Sequence, residues 1–214
     1  MTWTVAVSQR VDCWVDRGER RDALDQRLHQ WLWAAGCLPV PVPNILALPD
    51  EQASHGLGLW RWLEAVNPDA VLLSGGNDVG EMPERDRTEE GLLTFARQRV
   101  LPVLGICRGM QQLAVWAGAR LEPVAGHVRV RHRLQAVGAS GAWPGEVNSF
   151  HNLTLGGCPA GYVVTARAGD DSIEAICHQV LPWEGWMWHP EREWPFDNSD
   201  VSRWRALLVA GRRE

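Results

Sequence analysis

The sequence predicts an α/β fold: a three-layer αβα sandwich around a mixed, mostly parallel central sheet. In the first half of the chain, short β-rich apolar runs alternate with helical patterns, which is typical of parallel strands joined by crossover helices. From residue 118 onward, extended segments follow one another until a single last helix, which indicates a mixed sheet. These two observations together favour one central sheet covered by helices.

The elements follow in order from these patterns. Strands are predicted at residues 4–8, 37–42, 70–74 and 103–106, and helices at 22–35, 57–66, 88–99 and 108–117. The second half has extended segments at 128–134, 146–150, 162–168, 173–178 and 185–189, then a helix at 201–210. Because the chain has no internal repeat, low-complexity tract or long linker, we expect one domain over residues 1–214.

Composition and charge exclude several classes of protein. The 26 acidic and 21 basic residues of the 214 give a net charge of −5 and are scattered, which does not suit nucleic acid or an anionic membrane surface. No apolar run approaches a bilayer-spanning length, and the first ten residues do not resemble a signal peptide. The five cysteines are irregularly spaced without a CxxC pair, which indicates free thiols. We therefore expect a cytoplasmic protein.

Cys107 is the candidate nucleophile. Residues 104–111 read Leu-Gly-Ile-Cys-Arg-Gly-Met-Gln, so Cys107 lies between a buried strand and a helix, with Gly105 and Gly109 leaving room for backbone and substrate. A thiol at a helix N-terminus is favoured as the thiolate, which is the reactive form. The other four cysteines fit better as small buried apolar side chains.

The oxyanion of a tetrahedral intermediate needs backbone donors near this thiol. The Arg108 N–H points into the same space, and a second donor is expected from the Gly-rich turn 74–78, Ser-Gly-Gly-Asn-Asp, after the preceding buried strand. Two adjacent parallel strands would then supply both donors.

His189 and Glu191 complete the candidate catalytic set. Imidazole suits the role of a base that later protonates the leaving amine, because its pKa lies near neutral pH. His189 ends an apolar extended segment, and residues two apart in such a segment share a face. The Glu191 carboxylate is therefore expected to orient the His189 ring.

Four motifs in this order resemble class I glutamine amidotransferases: Leu-Gly-Ile-Cys-Arg-Gly-Met-Gln, Ser-Gly-Gly-Asn-Asp, Val-Asn-Ser-Phe-His-Asn at 147–152 and Trp-His-Pro-Glu at 188–191. Cys-Arg-Gly in place of the more usual Cys-Leu-Gly, with no synthase domain, is similar to the free-standing γ-glutamyl hydrolases of peptidase family C26. Segments 8–10, 73–78, 148–152, 172–175 and 187–193 resemble the γ-glutamyl-CDP-amidate hydrolases of bacterial capsule phosphoramidate synthesis.

The resemblance implies a flavodoxin-like fold and a γ-glutamyl-thioester intermediate on Cys107, with His189 shuttling the proton. It implies oxyanion donors at Gly76 and Arg108, although Asn77 stands where the superfamily often has proline. Candidate substrate-binding positions are Gln111, Asn148, Ser149, Phe150 and His151, for which helix packing and strand pairing are the alternative roles. Neither a metal nor an organic cofactor is implied, because thiol, imidazole, carboxylate and amides complete the chemistry.

The run 127–133, His-Val-Arg-Val-Arg-His-Arg, alternates strictly and predicts Arg129, Arg131 and Arg133 on one strand face. A solvated edge strand is one explanation, and contact with a phosphorylated leaving group is the other.

Three functions remain open at this point. The first is a hydrolase of a small γ-glutamyl amide, which is either nucleotide-linked or a simple amine derivative. The second is a glutaminase subunit that supplies ammonia to a separate synthase, and the third is a catalytically silent binding protein. The oligomeric state is also open, with a homodimer as one option.

Overall fold

The computed structural model describes residues 2–47, 57–138 and 143–211. The helices within these ranges are α1 (Gln26–Ala34), α2 (Leu57–Val66), α3 (Pro83–Arg99), α4 (Arg108–Trp116) and α5 (Asn198–Ala210). The strands are β1 (Trp3–Val7), β2 (Arg10–Trp14), β3 (Glu19–Ala23), β4 (Cys37–Pro41), β5 (Ala70–Leu73), β6 (Val103–Ile106), β7 (Leu121–Pro123), β8 (Val128–Arg133), β9 (Gln135–Ala136), β10 (Glu146–Phe150), β11 (Leu153–Leu155), β12 (Tyr162–Arg167), β13 (Ile173–His178) and β14 (Trp183–Trp186).

Eight of these strands form the central sheet, in the order β4-β1-β5-β6-β14-β13-β12-β9. The first five strands pair in parallel, and the remaining pairs are antiparallel. The mixed, mostly parallel sheet that the sequence predicts is therefore confirmed. Three two-stranded ladders, β2–β3, β7–β11 and β8–β10, lie outside the central sheet.

The helices cover both faces of the sheet because successive strand residues point to opposite sides. On β5, Leu72 belongs to the core that includes α1 and α5, whereas its neighbours Val71 and Leu73 belong to the core with α2, α3 and α4. The two separate cores make the three layers of the predicted sandwich. None of the helices in the described ranges has the length and hydrophobicity needed to cross a membrane.

The first helix differs from its prediction. Where a helix is predicted from residue 22, the chain finishes the hairpin β2–β3 and begins α1 only at Gln26. Gly18, at φ +63°, ends the short 3-10 turn between the two strands. Most of this hairpin is exposed, so it lacks the apolar alternation by which a half-buried strand is recognised.

Helix α4 lies unusually close to the strands beneath it. A Cβ built on Gly105 would come within 2.5 Å of the Gly109 carbonyl oxygen, and one on Gly109 within 2.1 Å of the Leu73 carbonyl oxygen. Real Cβ atoms do not approach backbone this closely. The two glycines that flank Cys107 therefore allow α4 to begin directly against β5 and β6.

We expect Gly109→Ala to lower the free energy of unfolding by about 1–3 kcal/mol, the usual cost of overpacking. The clash of the new Cβ with the Leu73 backbone should outweigh the helix stabilisation of up to ~1 kcal/mol that replacing glycine by alanine normally brings. Urea unfolding followed by tryptophan fluorescence measures the change. Gly169→Ala is the matched control, because a Cβ there meets nothing within 4 Å and we expect no loss. Equal stabilities of the two variants would contradict the close packing of α4.

Candidate active site

Cys107 occupies the abrupt turn between β6 and α4. Its φ and ψ angles are +50° and −105°, a combination that residues with a Cβ rarely adopt and that costs on the order of 1–3 kcal/mol. The Cys107 N–H donates a 2.7 Å hydrogen bond to the Trp186 carbonyl, and the Cys107 carbonyl accepts a 3.1 Å bond from the Gln111 N–H. These bonds hold the strained residue at the start of α4, where helix amides and dipole favour a thiolate.

His189 and Glu191 form a buried pair shortly after β14. The His189 Nδ1 lies 2.7 Å from Glu191 Oε1, and both side chains are almost fully buried. The sequence predicts this contact from an extended segment, but that part of the reasoning is wrong: β14 ends at Trp186, and Pro190–Arg192 is a 3-10 helix. Pro190 fixes φ at the start of this turn, and the turn brings the carboxylate back to the ring.

The surroundings of His189 favour its protonated form. Burial alone lowers the pKa of the imidazole, but the Glu191 carboxylate and the nearby Cys107 sulfur together raise the pKa well above its ordinary value. Because Nδ1 faces Glu191, Nε2 is the ring nitrogen left for the thiol. His189 therefore places an imidazolium beside the Cys107 sulfur.

The two expected oxyanion donors lie at the ends of neighbouring parallel strands. Gly76 follows β5 and Arg108 follows β6, and these strands pair directly. The Arg108 amide is in the first turn of α4, where amides have no intrahelical partner. Gly76 has φ +127°, a conformation that L-residues rarely adopt, and a Cβ on Gly75 would lie 2.6 Å from His189 Cε1. The turn thus requires glycine both for its backbone conformation and for the approach of the imidazole.

Asn77, which stands in place of the more usual proline, connects this turn to the hairpin β2–β3. Its Oδ1 accepts a 2.8 Å hydrogen bond from the Val11 N–H, and its Nδ2 donates a 3.0 Å bond to the Val11 carbonyl. A proline could make neither bond. The Asn77 side chain therefore ties the hairpin directly to the turn.

A buried ionic network supports the turn from beneath, and sequence reasoning missed it. The Arg85 guanidinium donates to the carbonyls of Ser74 and Gly75, at 2.6 Å and 3.0 Å, and bonds Glu89 at 3.0 Å. The Arg108 guanidinium also bonds Glu89. Burial lowers the pKa of both guanidiniums to about 9, and both remain cationic at neutral pH beside Glu89. The network fixes the carbonyls of the turn and adds positive charge near Cys107.

The sequence does carry a signal for this network. Arg85 and Glu89 are four residues apart on α3, and they continue the buried side of the helix that Leu92 and Ala96 occupy. Charged residues on the buried face of a helix need partners elsewhere in the fold. The prediction missed this signal because it began the helix at residue 88, whereas α3 begins at Pro83.

Two of the expected substrate-binding residues have their side chains engaged within the protein. The Gln111 Nε2 donates to the Leu153 carbonyl at 3.0 Å, and its buried Oε1 has no hydrogen-bond partner among the described residues. The Asn148 side chain bonds both the N–H and the carbonyl of His189, at 3.1 Å and 2.8 Å. Asn148 also donates to Glu193 at 2.7 Å. These bonds make Asn148 a support for the His189 backbone.

The next three expected residues lie in different surroundings. Phe150 is half-exposed, with its ring edge-on to the His189 imidazole at 5.9 Å. The Ser149 hydroxyl is buried and donates to the His127 carbonyl at 2.7 Å. The His151 ring is buried, and its Nε2 lies 3.5 Å from Glu174 Oε1. Of the three side chains, only that of Phe150 contacts the candidate catalytic residues.

The arginines of β8 do not alternate regularly. The register with β10 passes from Val130–Ser149 directly to Val128–Phe150, so Arg129 is the extra residue of a β-bulge, with φ +56°. The prediction that the three arginines alternate on one strand face is therefore wrong at Arg129. Arg131 pairs with Glu146 and Glu193, each at 2.8 Å.

A cavity of about 280 Å³ borders the candidate site between the hairpin β2–β3 and the turn after β5. Its lining includes His189, the glycines of the turn and five charged side chains: Arg10, Asp12, Asp25, Glu191 and Arg192. The three carboxylates outnumber the two guanidiniums.

Comparison with known proteins agrees with this architecture. The family model Glutamine amidotransferase class-I matches residues 37–197. Gamma-glutamyl-CDP-amidate hydrolase of Campylobacter jejuni is 31% identical over 149 residues, covering 65% of this chain and 70% of that protein. Gamma-glutamyl-gamma-aminobutyrate hydrolase of Escherichia coli O157:H7 is 28% identical over 205 residues, covering 82% and 81%.

Two further similar proteins carry a different name. The glutamine-hydrolyzing GMP synthase subunit of Methanothrix thermoacetophila is 34% identical over 136 residues, covering 60% of this chain and 70% of that protein. The crystal structure of a GMP synthase subunit from Thermoplasma acidophilum superposes with a TM-score of 0.72 at 19% identity, covering 98% of this chain and 94% of that one. The matched family model spans most of the chain, including Cys107, His189 and Glu191. The chain therefore belongs to the class I glutamine amidotransferase family.

Proposed function

We propose that this protein is a cysteine hydrolase that cleaves a γ-glutamyl amide bond and releases glutamate. The observation that carries the proposal is the strained Cys107 at the N-terminus of α4, close to the imidazole of the buried His189–Glu191 pair. A thiolate, an imidazolium and an orienting carboxylate are the groups that acyl transfer from an amide requires.

In the proposed mechanism, the Cys107 thiolate attacks the γ-carbonyl carbon, and the N–H groups of Gly76 and Arg108 stabilise the oxyanion. His189 then gives its proton to the leaving nitrogen as the C–N bond breaks, which leaves a γ-glutamyl thioester on Cys107. Neutral His189 next takes a proton from water, the hydroxyl attacks the thioester, and glutamate leaves as the thiolate re-forms. Glu191 keeps the His189 ring oriented throughout.

For the substrate, we propose that Gln111, Ser149 and Phe150 bind the glutamyl group, the last two through their backbone. The buried Gln111 Oε1 without a hydrogen-bond partner in the described ranges supports this role. Asn148 and His151 then act indirectly, Asn148 by holding the His189 backbone. The leading substrate is γ-glutamyl-CDP-amidate, in capsule phosphoramidate synthesis, which the likeness to the Campylobacter hydrolase supports.

A second candidate is a general γ-glutamyl-amine hydrolase. The likeness to the gamma-glutamyl-gamma-aminobutyrate hydrolase of Escherichia coli O157:H7 supports it, and the carboxylates of Asp12 and Asp25 in the cavity beside His189 would suit an amine-bearing acceptor. A glutaminase subunit is the third candidate, and it is favoured by Trp194, which is 84% exposed only three residues after Glu191 and suits a docking surface. The three candidates differ in which substrates the purified protein would hydrolyse in the absence of any partner.

Glutamate release by the purified protein tests the proposal. We expect turnover of γ-glutamyl-CDP-amidate to exceed that of glutamine, and Cys107→Ala to reduce it by on the order of 10⁴-fold or more because the nucleophile is lost. Cys158→Ala, at an exposed thiol, is the control and should retain activity. Turnover of many γ-glutamyl amines would instead support the general hydrolase. Inactivity on every substrate would contradict both hydrolase functions and favour the glutaminase subunit.

The role of Glu191 predicts a pH effect. The carboxylate raises the pKa of His189, so Glu191→Gln should lower that pKa and move the alkaline limb of the kcat/KM profile to lower pH. We also expect kcat/KM to fall by about 10²–10⁴-fold, as the ring loses its orienting charge. Steady-state kinetics between pH 5 and 10 measure both effects. Movement of the limb to higher pH would be inconsistent with the proposed pair.

The arginines of β8 separate the candidate substrates. Because guanidinium suits phosphate oxygens, the double variant Arg129→Ala/Arg133→Ala should raise KM for γ-glutamyl-CDP-amidate about tenfold and leave simple γ-glutamyl amides unaffected. Arg131→Ala is the contrasting variant, because Arg131 pairs with Glu193, which bonds Asn148 beneath His189. We expect this variant to lose activity on both substrates. Equal losses on both substrates in the double variant would eliminate the phosphate contact.

A further inference from the structure

Three histidines and one glutamate form a compact cluster on the opposite side of the β8–β10 ladder from Arg131. His127 precedes β8, His132 lies on β8, His151 follows β10 and Glu174 lies on β13. One nitrogen or oxygen of each residue lies within 4.8 Å of the corresponding atoms of the other three. Glu174 is fully buried and His151 almost so. None of these side chains contacts a reacting group in the proposed hydrolysis.

The separations suit a tetrahedral metal ion. Glu174 Oε1 lies 3.5 Å from His127 Nδ1, 3.6 Å from His132 Nε2 and 3.5 Å from His151 Nε2. Zinc bonds of about 2.0–2.1 Å arranged tetrahedrally place neighbouring ligand atoms about 3.3–3.4 Å apart. The three separations from the Glu174 carboxylate are within a few tenths of an ångström of that geometry.

Among the described residues, the cluster-facing atoms of His132, His151 and Glu174 lack hydrogen bonds, whereas His127 Nδ1 lies 3.4 Å from the Ser149 hydroxyl. Within the described ranges, His151 Nε2, His132 Nε2 and both carboxylate oxygens of Glu174 have no hydrogen bond. A buried carboxylate with neither a hydrogen bond nor a metal is costly. A divalent cation bound by these atoms would remove that cost.

Two of the histidines are oriented for this role by their outer nitrogens. His127 Nε2 lies 3.0 Å from Asp170 Oδ2, and His151 Nδ1 lies 3.0 Å from the Leu153 carbonyl. A ligand histidine usually donates its second N–H to a carboxylate or a carbonyl, which fixes the tautomer and directs the other nitrogen to the metal. His127 and His151 both have this arrangement.

We propose that His127, His132, His151 and Glu174 bind one Zn²⁺ ion as a structural site. Imidazole and carboxylate are ligands that zinc accepts, and four protein ligands leave no open position for catalysis. The site was not foreseen from the sequence, which implies no metal for the reaction. The inference does not depend on the proposed reaction, since no reacting atom lies at this site.

The position of the site indicates what the ion stabilises. The ligands come from the β8–β10 region and from β13 of the central sheet, so one ion would fasten that ladder to the sheet. The Glu174 carbonyl accepts a 2.8 Å hydrogen bond from the Met187 N–H, two residues before His189. The ion would therefore hold Phe150 and its neighbours next to the strand that leads to His189.

Zinc content and affinity test the proposal directly. Protein in the Cys107→Ala background, which removes the thiol beside His189 as a competing ligand, is stripped with a chelator and titrated with Zn²⁺ against a chromophoric competitor. We expect one ion per chain and a higher Tm with zinc than without it. Glu174→Gln and His132→Ala should each lose at least ~100-fold in affinity, and Asp170→Ala about 10–100-fold.

His29→Ala is the matched control, because His29 lies on α1 outside the cluster. It should keep the affinity and the zinc-dependent rise in Tm. Absence of stoichiometric zinc in the parent protein, or equal affinity in Glu174→Gln and His132→Ala, would overturn the site. In that case direct contacts between the histidines and Glu174 would account for the cluster. A melting curve of each zinc-free variant shows whether the chain is folded.

Discussion

The close approach of α4 to β5 and β6 is the constraint on which the rest of the site depends. Gly105 and Gly109 remove the only atoms that would keep the helix away from the strands. The chain must then reverse sharply at Cys107, which takes a positive φ. The strain is tolerated because the hydrogen bond from Cys107 to the Trp186 carbonyl ties the turn to β14. That bond also sets the distance between the thiol and the segment that carries His189.

Charge around this turn is organised in two buried groups. Arg85, Glu89 and Arg108 lie beneath the turn after β5, whereas His189 and Glu191 lie on the other side of the thiol. Breaking a buried pair by removing one partner typically costs several kcal/mol, because the other charge is left uncompensated. Each group is therefore fixed in position, and each places a positive charge near Cys107.

The features that we propose to distinguish substrates lie outside the central sheet. The hairpin β2–β3 borders the cavity next to His189, and the ladder β8–β10 carries Phe150 and the arginines. Both are attached to the sheet by a few specific contacts, Asn77 for the first and the proposed zinc ligands for the second. Changes in these ladders can alter the acceptor while the nucleophile, base and sheet stay the same.

Much of the architecture was predictable because it depends on local patterns. The buried strand 103–106 and the helix that begins at Arg108 follow from an apolar run, its flanking glycines and a helical period, and the structure has both at those bounds. The hairpin β2–β3 was missed because exposed strands carry no apolar alternation. The pairing of His189 with Glu191 was expected, but from an extended segment instead of the 3-10 turn that Pro190 begins.

By itself, the sequence determined most strands and helices of the central sandwich, the mixed sheet and the residues that stand at the strand ends, since these depend on neighbours along the chain. Only the tertiary structure decided which distant side chains meet. Arg85 reaches the carbonyl of Ser74, Asn148 holds the backbone of His189, and Glu174 joins three histidines from another ladder. Such contacts are fixed by how the sheet and the ladders pack, because the position of a residue in the sequence does not indicate which distant residue its side chain will contact.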